Sequence, residues 1–211
     1  MKQPSLHDPH QRQRGRRILR KRDPALAPWI SHHGDLAPNR RIPAFERLCG
    51  AILSQQISTS AAATIKGRFM AAVGHELSAE RVLALDAEQL RACGISRQKA
   101  SYLVDLARRV HEGSLRPSQL WRLDDEAAIE AITAVRGLGV WSAQMFLIFG
   151  LGRPDVMAVG DLGLQNAIRR LDALSTRPSP RDFLTRAERW RPWRSLASLH
   201  LWAGLNDCPE P

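Results

Sequence analysis

A short glycine-containing turn is a candidate site for binding phosphate groups. Gly137 and Gly139 alternate in the run Arg136-Gly137-Leu138-Gly139, between two segments with helical periodicity. Glycine accepts a positive φ and has no Cβ, so such a turn allows another backbone to approach closely. The unpaired N–H groups and the positive dipole end of the helix that starts at Val140 would then bind a phosphate. Taken alone, the pattern also fits a purely structural turn between two helices.

Cysteine and histidine, the other residues that could carry chemistry, show no site pattern. Cys49, Cys93 and Cys208 lack CxxC spacing, which argues against a disulfide framework, a cysteine-only zinc site and an iron–sulfur cluster with four cysteine ligands. The adjacent His32 and His33 have no metal-ligand spacing with these cysteines, so we interpret them as solvated histidines. The sequence therefore predicts no required cofactor and a reducing compartment.

The elements that must position the turn are helices. From Asp23 onward the apolar residues recur with helical periodicity, and no strand-like alternation bounded by hairpin turns is present. N-cap signals at Ser78, Ser96 and Asp124 precede three of these segments. The sequence therefore predicts an all-α fold. The predicted helices span residues 25–33, 44–54, 58–73, 78–85, 86–92, 96–112, 124–135, 140–150, 162–172, 180–189 and 194–206.

The charge of the chain indicates a polyanionic partner. The 211 residues are 44% hydrophobic and 25% charged, which excludes a wholly disordered or fibrous chain. The net charge is +10, of which residues 1–22 carry +7, so nucleic acid is the favoured partner. We predict that residues 1–23 form a flexible basic tail, either a phosphate-binding arm or a solubilising extension. No apolar run would span a bilayer and no signal peptide is evident, so we expect a cytoplasmic protein without membrane contact.

Three segments, in their order and spacing, resemble the helix-hairpin-helix DNA glycosylase superfamily. Residues 51–58 (AILSQQIS) resemble its A-I-L-x-Q-Q-x-S segment. Residues 129–170 contain the hairpin, a Gly-Pro loop and the run Val159-Gly160-Asp161, and residues 191–195 (RPWRS) with Trp202 resemble its closing motif. The similarity covers about residues 24–206 and is to the alkylation-repair branch, the 3-methyladenine DNA glycosylase II type, without its N-terminal β-rich domain.

The resemblance implies a two-lobed all-α glycosylase with a cleft between the lobes. The central lobe would span residues 50–152, and the second lobe would combine residues 24–49 with 153–211. The implied partner is double-stranded DNA that contains alkylated bases, and the implied process is base excision repair. We expect a monomer that acts on DNA in the cytoplasm, in association with a bacterial nucleoid.

The resemblance places the family's essential aspartate at Asp161. An ionised carboxylate beside C1′ would stabilise the positive charge that develops on the deoxyribose as the N-glycosidic bond breaks. Asp161 also precedes a predicted helix, so a capping role is an alternative that does not exclude the catalytic role. Family members that also cleave the DNA backbone have a Schiff-base lysine where this chain has Trp141. The resemblance therefore implies a monofunctional enzyme without lyase activity.

The implied base pocket combines Trp141, Met145 and Trp202 with Leu162. Cationic bases such as 3-methyladenine and 7-methylguanine are attracted to electron-rich indole rings by about 0.5–2 kcal/mol. Met145 and Leu162 stand where tyrosines are familiar in this branch, which indicates a roomier and more aliphatic pocket. We therefore predict a substrate range that includes 1-methyladenine and 3-methylcytosine.

The resemblance also implies how the duplex is held while the base leaves the stack. Gln55 and Gln56 occupy the family's wedge position, and Gln56 would fill the gap and hydrogen-bond the widowed base; a plain surface turn is the alternative. Phosphate contacts would come from the hairpin and its flanks. These predicted contacts are the amides of Gly137, Gly139 and Val140, with Leu138 and Arg136 beside them. A monovalent cation would bind the carbonyls of Thr133, Val135 and Leu138.

Two rival hypotheses remain at the level of sequence. A noncatalytic helix-hairpin-helix module would bind DNA as a scaffold, but it would need no carboxylate at position 161 facing phosphates that repel it. A glycosylase acting on another lesion class, such as a bifunctional glycosylase/lyase for oxidised bases, would need the lysine that position 141 lacks.

Overall fold

The computed structural model describes residues 4–38 and 42–207, and all regular structure in these ranges is helical. The predicted all-α fold is therefore confirmed. The α-helices are α1 (Pro9–Arg22), α2 (Ala27–His33), α3 (Ala44–Leu53), α4 (Thr59–Ala72), α5 (Ala79–Leu83), α6 (Ala87–Ala92), α7 (Arg97–His111), α8 (Asp125–Thr133), α9 (Val140–Met145), α10 (Leu162–Leu171), α11 (Pro180–Ala187) and α12 (Arg194–Asp207). Two 3-10 segments, Pro117–Arg122 and Glu188–Trp190, and a π-helical segment, Phe146–Leu151, lie between them.

Local capping explains why several of these helices begin where they do. The side chains of Ser78 and Ser96 accept hydrogen bonds from the backbone N–H groups three residues later, each at 3.3 Å. Asp124 does the same at 2.8 Å. Each bond satisfies an N–H that the helix itself cannot pair, as the sequence predicted. Within the described ranges, no helix combines the length and the apolar content needed to cross a bilayer.

The described chain divides into two compact units. The first unit combines residues 4–38 with 147–207, and the second comprises residues 42–146. These borders differ from the predicted lobes of 50–152 and 24–49 plus 153–211. The whole of α3 belongs to the second unit because it packs on α4 and α7, where Lys99 Nζ donates to the Leu53 carbonyl at 2.7 Å. Residues 147–152 belong to the first unit, where Leu6 N donates to the Gly152 carbonyl at 2.6 Å.

The prediction of a flexible tail over residues 1–23 was wrong for the described part of that segment. Residues 9–22 form α1, which is capped by Asp8 and buries Arg12, Gly15 and Leu19. A Cβ on Gly15 would lie 2.6 Å from the Leu196 side chain, so the glycine allows α1 and α12 to pack closely. The sequence did not indicate this buried face, because two of its three residues are an arginine and a glycine and the segment has no apolar periodicity.

A buried ion network holds the helices of the first unit together. Asp23, which is 1% exposed, accepts hydrogen bonds from Arg186 at 2.5 Å and from Trp190 Nε1 at 2.6 Å. Arg186 also pairs with Asp172 at 2.6 Å. Burial opposes ionisation of Asp23, but these hydrogen bonds outweigh it and hold the pKa of the carboxyl below its ordinary value. The network connects the end of α1 to α10 and α11.

Candidate functional site

Asp161 is held in a fixed orientation in the first unit. It is the N-cap of α10, and its Oδ1 atom accepts a hydrogen bond from the Leu164 N–H at 2.8 Å. The same oxygen accepts a second hydrogen bond from Trp202 Nε1 on α12 at 3.0 Å. The residue is half-buried. Asp161 therefore caps a helix, as the sequence allowed, and it also accepts a hydrogen bond from the indole of Trp202.

Two residues that belong to no recognisable motif, Phe149 and Gly163, lie against this pair. Phe149 stacks on Trp202 with ring centroids 5.6 Å apart and an interplanar angle of 28°. A Cβ on Gly163 would lie 3.1 Å from Asp161 Oδ1 and 3.3 Å from Trp202 Nε1, so glycine leaves room for the hydrogen bond. The apolar run around Phe149 looked like ordinary core, and no local pattern distinguished Gly163.

The closing motif fixes the loop that leads to Asp161. Ser195 Oγ accepts from the Val156 N–H at 2.9 Å and donates to the Val156 carbonyl at 3.2 Å. Arg194 Nε donates to Asp155 Oδ1 at 2.8 Å. These contacts fasten the loop to the start of α12, the helix that also carries Trp202. One helix therefore positions both the carboxylate's loop and its indole partner.

The glycine turn lies in the second unit, where the two glycines differ. Gly137 has φ +82°, and a Cβ there would lie 2.1 Å from the Tyr102 ring, so both conformation and packing require glycine. Gly139 has φ −95° and is the N-cap of α9. A Cβ on Gly139 would meet nothing within 4 Å, which leaves its backbone face open. The expected positive φ therefore occurs at the first glycine of the turn and not at the second.

Residues from other helices brace this turn. Gln55 Nε2 donates to the Gly137 carbonyl at 2.7 Å, so the structure brings the predicted wedge segment to the hairpin. The neighbouring Gln56 is exposed and has φ +55°, which is uncommon for a residue with a side chain. A non-glycine residue held in this conformation is a strained position of the kind that occurs at functional sites.

An acidic residue of α7 fixes the start of the turn. The backbone N–H of Arg136 donates to Asp105 Oδ2 at 2.9 Å, and Arg109 Nε donates to the same oxygen at 3.1 Å. Burial opposes ionisation of Asp105, but these two bonds outweigh it and lower the pKa of the carboxyl. The Arg136 side chain is left exposed. No local sequence pattern marks Asp105, because its contact with Arg136 spans 31 residues.

The predicted pocket residues are distributed over both units. Trp141 and Met145 lie on α9 in the second unit, and Trp141 is 50% exposed. Leu162 and Trp202 lie with Asp161 in the first unit, and Leu162 is 59% exposed. Ordinary core packing does not explain an indole and a leucine that are exposed to this extent. The assignment of these four residues to one base pocket stays a prediction.

The proposed cation site is compatible with the turn. Leu138 N donates to the Val135 carbonyl at 3.1 Å, whereas no donor within the described ranges bonds the carbonyl oxygens of Thr133 and Leu138. Carbonyl oxygens of this kind suit a hard cation.

Comparison with known proteins identifies relatives of this fold. Residues 49–194 match the model of the family described as HhH-GPD superfamily base excision DNA repair proteins. YfjP of Bacillus subtilis is 37% identical over 161 residues, which cover 73% of this chain and 56% of that protein. DNA-3-methyladenine glycosylase 1 of Schizosaccharomyces pombe is 34% identical over 186 residues, which cover 84% of this chain and 82% of that protein. The chain therefore spans little more than half of YfjP but most of the yeast relative.

A solved structure shares the architecture. The 3-methyladenine DNA glycosylase Mag1 of Schizosaccharomyces pombe, in complex with abasic DNA, has a TM-score of 0.83 and 31% identity. The match covers 93% of this chain and the whole of the Mag1 chain.

Proposed function

The chain belongs to the HhH-GPD superfamily of base excision DNA repair proteins, and from that premise we propose that it is a monofunctional DNA glycosylase for alkylated bases. The observation that carries the proposal is the pairing of Asp161 with Trp202, in which two donors orient one carboxylate at the start of α10. The names of the yeast relative and of the Mag1 structure, which report 3-methyladenine glycosylases, support the same substrate class.

Asp161 supplies the negative charge that the reaction needs. The bond between C1′ and the base nitrogen breaks, its electron pair leaves with the base, and C1′ acquires positive charge. A carboxylate whose orientation is already fixed stabilises that charge without reorganising. A water molecule then adds its oxygen to C1′ and loses a proton, leaving an abasic site. Asp161 Oδ1 is already fixed by two donors, so the carboxylate does not have to turn during the step.

A cationic leaving group allows one carboxylate to be enough for cleavage of the N-glycosidic bond. Alkylation at N3 of adenine or N7 of guanine places positive charge on the base, so bond cleavage needs little acid catalysis. Trp202, stacked on Phe149, provides an electron-rich surface beside Asp161. We also propose that Trp141, Met145 and Leu162 contact the base. Because Met145 and Leu162 are aliphatic and not aromatic, we propose a substrate range that includes 1-methyladenine and 3-methylcytosine as well as 3-methyladenine and 7-methylguanine.

The hairpin binds the DNA backbone. The open backbone face at Gly139, followed by Val140, lets a phosphate reach the amides at the start of α9. Gln56, which is exposed in a left-handed conformation beside the hairpin-bound Gln55, fills the space left by the extruded base. A monovalent cation at the carbonyls of Thr133, Val135 and Leu138 would screen the same phosphate. We further propose that the protein acts as a monomer in the cytoplasm, on nucleoid DNA.

The test is base release from methylated duplex DNA, measured by mass spectrometry together with borohydride trapping. We expect free 3-methyladenine and 7-methylguanine, an intact abasic strand and no covalent protein–DNA product, because Trp141 cannot form a Schiff base. Binding of DNA without release of any base would support a noncatalytic module instead. Covalent capture by borohydride would contradict the monofunctional assignment.

A further inference from the structure

The exposed face of α1 carries a row of basic side chains. Arg14, Arg17 and Lys21 follow one another at intervals of three and four residues and are all exposed. This spacing places them on one side of the helix. The opposite side carries the buried residues Arg12, Gly15 and Leu19. We define the basic stripe as Arg14, Arg17 and Lys21.

The positive charges of the stripe are not neutralised within the described chain. Arg12 pairs with Asp35 at 2.7 Å, and Arg16 also pairs with Asp35, so the more buried arginines of α1 have an acidic partner. These pairings lower the pKa of Asp35 to about 2. Among the described residues, no acidic side chain forms an ion pair with Arg14, Arg17 or Lys21. The helix therefore separates paired arginines near the core from unpaired basic groups at the surface.

The surface around the stripe is concave and basic. A surface depression of about 940 Å³ lies along α1 and reaches Ala27 at the start of α2. Its lining includes all three stripe residues together with Arg16 and Arg20. An open depression surrounded by five cationic side chains attracts an extended polyanion more strongly than a small neutral ligand.

The spacing of the stripe matches a nucleic-acid backbone. Arg14 and Lys21 are seven residues apart, which corresponds to about 10 Å along a helix. Successive phosphates of one strand rise by about 3.4 Å along the duplex axis, so the stripe can span two or three of them. The buried side of α1 is packed in place, because Gly15 lies against Leu196 of α12. A prepacked helix binds with less loss of entropy than a mobile tail.

We propose that the basic stripe is a second contact with the DNA backbone, separate from the hairpin and independent of sequence and lesion. The identity of the partner rests on the proposed function, whereas the stripe itself is observed on α1. Such a contact raises affinity for undamaged duplex and hence the time available to search for lesions, without touching the chemistry at Asp161.

The experiment compares two triple variants of the full chain. Arg14→Gln/Arg17→Gln/Lys21→Gln removes the stripe, and Arg177→Gln/Arg181→Gln/Arg189→Gln removes the same charge from other exposed arginines of the first unit. Fluorescence anisotropy measures affinity for an undamaged duplex over a series of salt concentrations. Each lost phosphate contact lowers the slope of log K against log salt by about 0.9. We expect the stripe variant to lose two to three contacts and about ten- to a hundredfold in affinity at low salt, and the control to change little.

A charge-preserving variant separates charge from folding. Arg14→Lys/Arg17→Lys should retain the wild-type slope, and all variants should unfold at the wild-type temperature because the substituted side chains are exposed. A stripe variant with the wild-type slope, or a control with an equal loss, would overturn the proposal. A stripe variant that keeps the wild-type affinity for DNA but no longer binds anionic lipid vesicles would also overturn the proposal. Because the duplex is undamaged, failure to release methylated bases would overturn the proposed function and leave this measurement unaffected.

Discussion

At Asp161 one carboxylate has an observed capping role and a proposed catalytic role, and a substitution can separate the two. The oxygen that caps α10 is the oxygen that Trp202 holds. Capping needs only an acceptor, which asparagine also provides. Charge stabilisation needs the ionised group. The side chain can therefore be changed in charge with little change in the helix it starts.

Trp202→Phe tests the positioning role of the indole N–H. The variant keeps a ring that can stack on Phe149 but removes the donor to Asp161. A hydrogen bond to a charged group is worth about 1.5–3 kcal/mol, so we expect kcat to fall by about tenfold or more, with a smaller change in KM. Trp193→Phe is the matched control, because Trp193 is buried and its Nε1 has no partner in the described chain. An equal fall in kcat for both variants would contradict the positioning role.

At the scale of elements, the hairpin depends on two glycines for different reasons. Gly137 is constrained by its positive φ and by Tyr102, whereas Gly139 has an ordinary φ and open space around its missing Cβ. One glycine therefore maintains the turn, and the other keeps the backbone accessible.

Gly137→Ala and Gly139→Ala should separate folding from binding. A methyl group at position 137 would both strain the backbone and overlap the Tyr102 ring, so we expect the free energy of unfolding to fall by at least about 2 kcal/mol. Gly139→Ala should unfold like the wild type but bind duplex DNA more weakly, because its methyl group covers the open backbone face. Urea unfolding and anisotropy measure the two effects. Wild-type stability of Gly137→Ala would show that the turn tolerates a side chain.

The helix caps could be predicted from the sequence, but the contacts between distant helices could not. The starts of α5, α7 and α8 were predictable because each cap and its N–H partner lie three residues apart. The bond from Gln55 to Gly137 spans 82 residues, and the bond from Trp202 to Asp161 spans 41. No local periodicity in one sequence encodes such contacts. The predicted helix 140–150 was continuous, but it becomes π-helical at Phe146, and Phe149, which stacks on Trp202, lies in that π-helical segment.

At the scale of the whole molecule, one buried histidine affects stability against acid. His200 on α12 is fully buried, and neither ring nitrogen has a hydrogen-bond partner in the described residues. Burial, reinforced by the charges of His33 and Arg16 and opposed by Asp35, lowers its pKa from 6.5 to about 4. Folding therefore excludes a proton that the unfolded chain binds at mildly acidic pH.

His200→Leu should flatten the dependence of stability on pH. Above pH 6.5 the imidazole is neutral in both states and has no effect on the pH dependence. As the pH falls from 6.5 to 4, the unfolded state gains a proton that the folded state does not, and the free energy of unfolding drops by up to about 3 kcal/mol. Urea unfolding at several pH values measures this slope. The control is His10→Leu at an exposed position, which should keep the wild-type dependence of the unfolding free energy on pH. If His200→Leu also keeps that dependence, buried His200 is not the cause of the loss of stability in acid.

Single-turnover release of 3-methyladenine by Asp161→Asn under saturating enzyme measures what the charge of this carboxylate contributes. The control is Asp86→Asn, which changes the N-cap of α6, a helix of the second unit. We expect Asp161→Asn to bind DNA and unfold like the wild type but to release the base at least about a hundredfold more slowly, while Asp86→Asn keeps the wild-type rate. Release by Asp161→Asn at a rate near that of the wild type would show that this carboxylate does not stabilise the transition state.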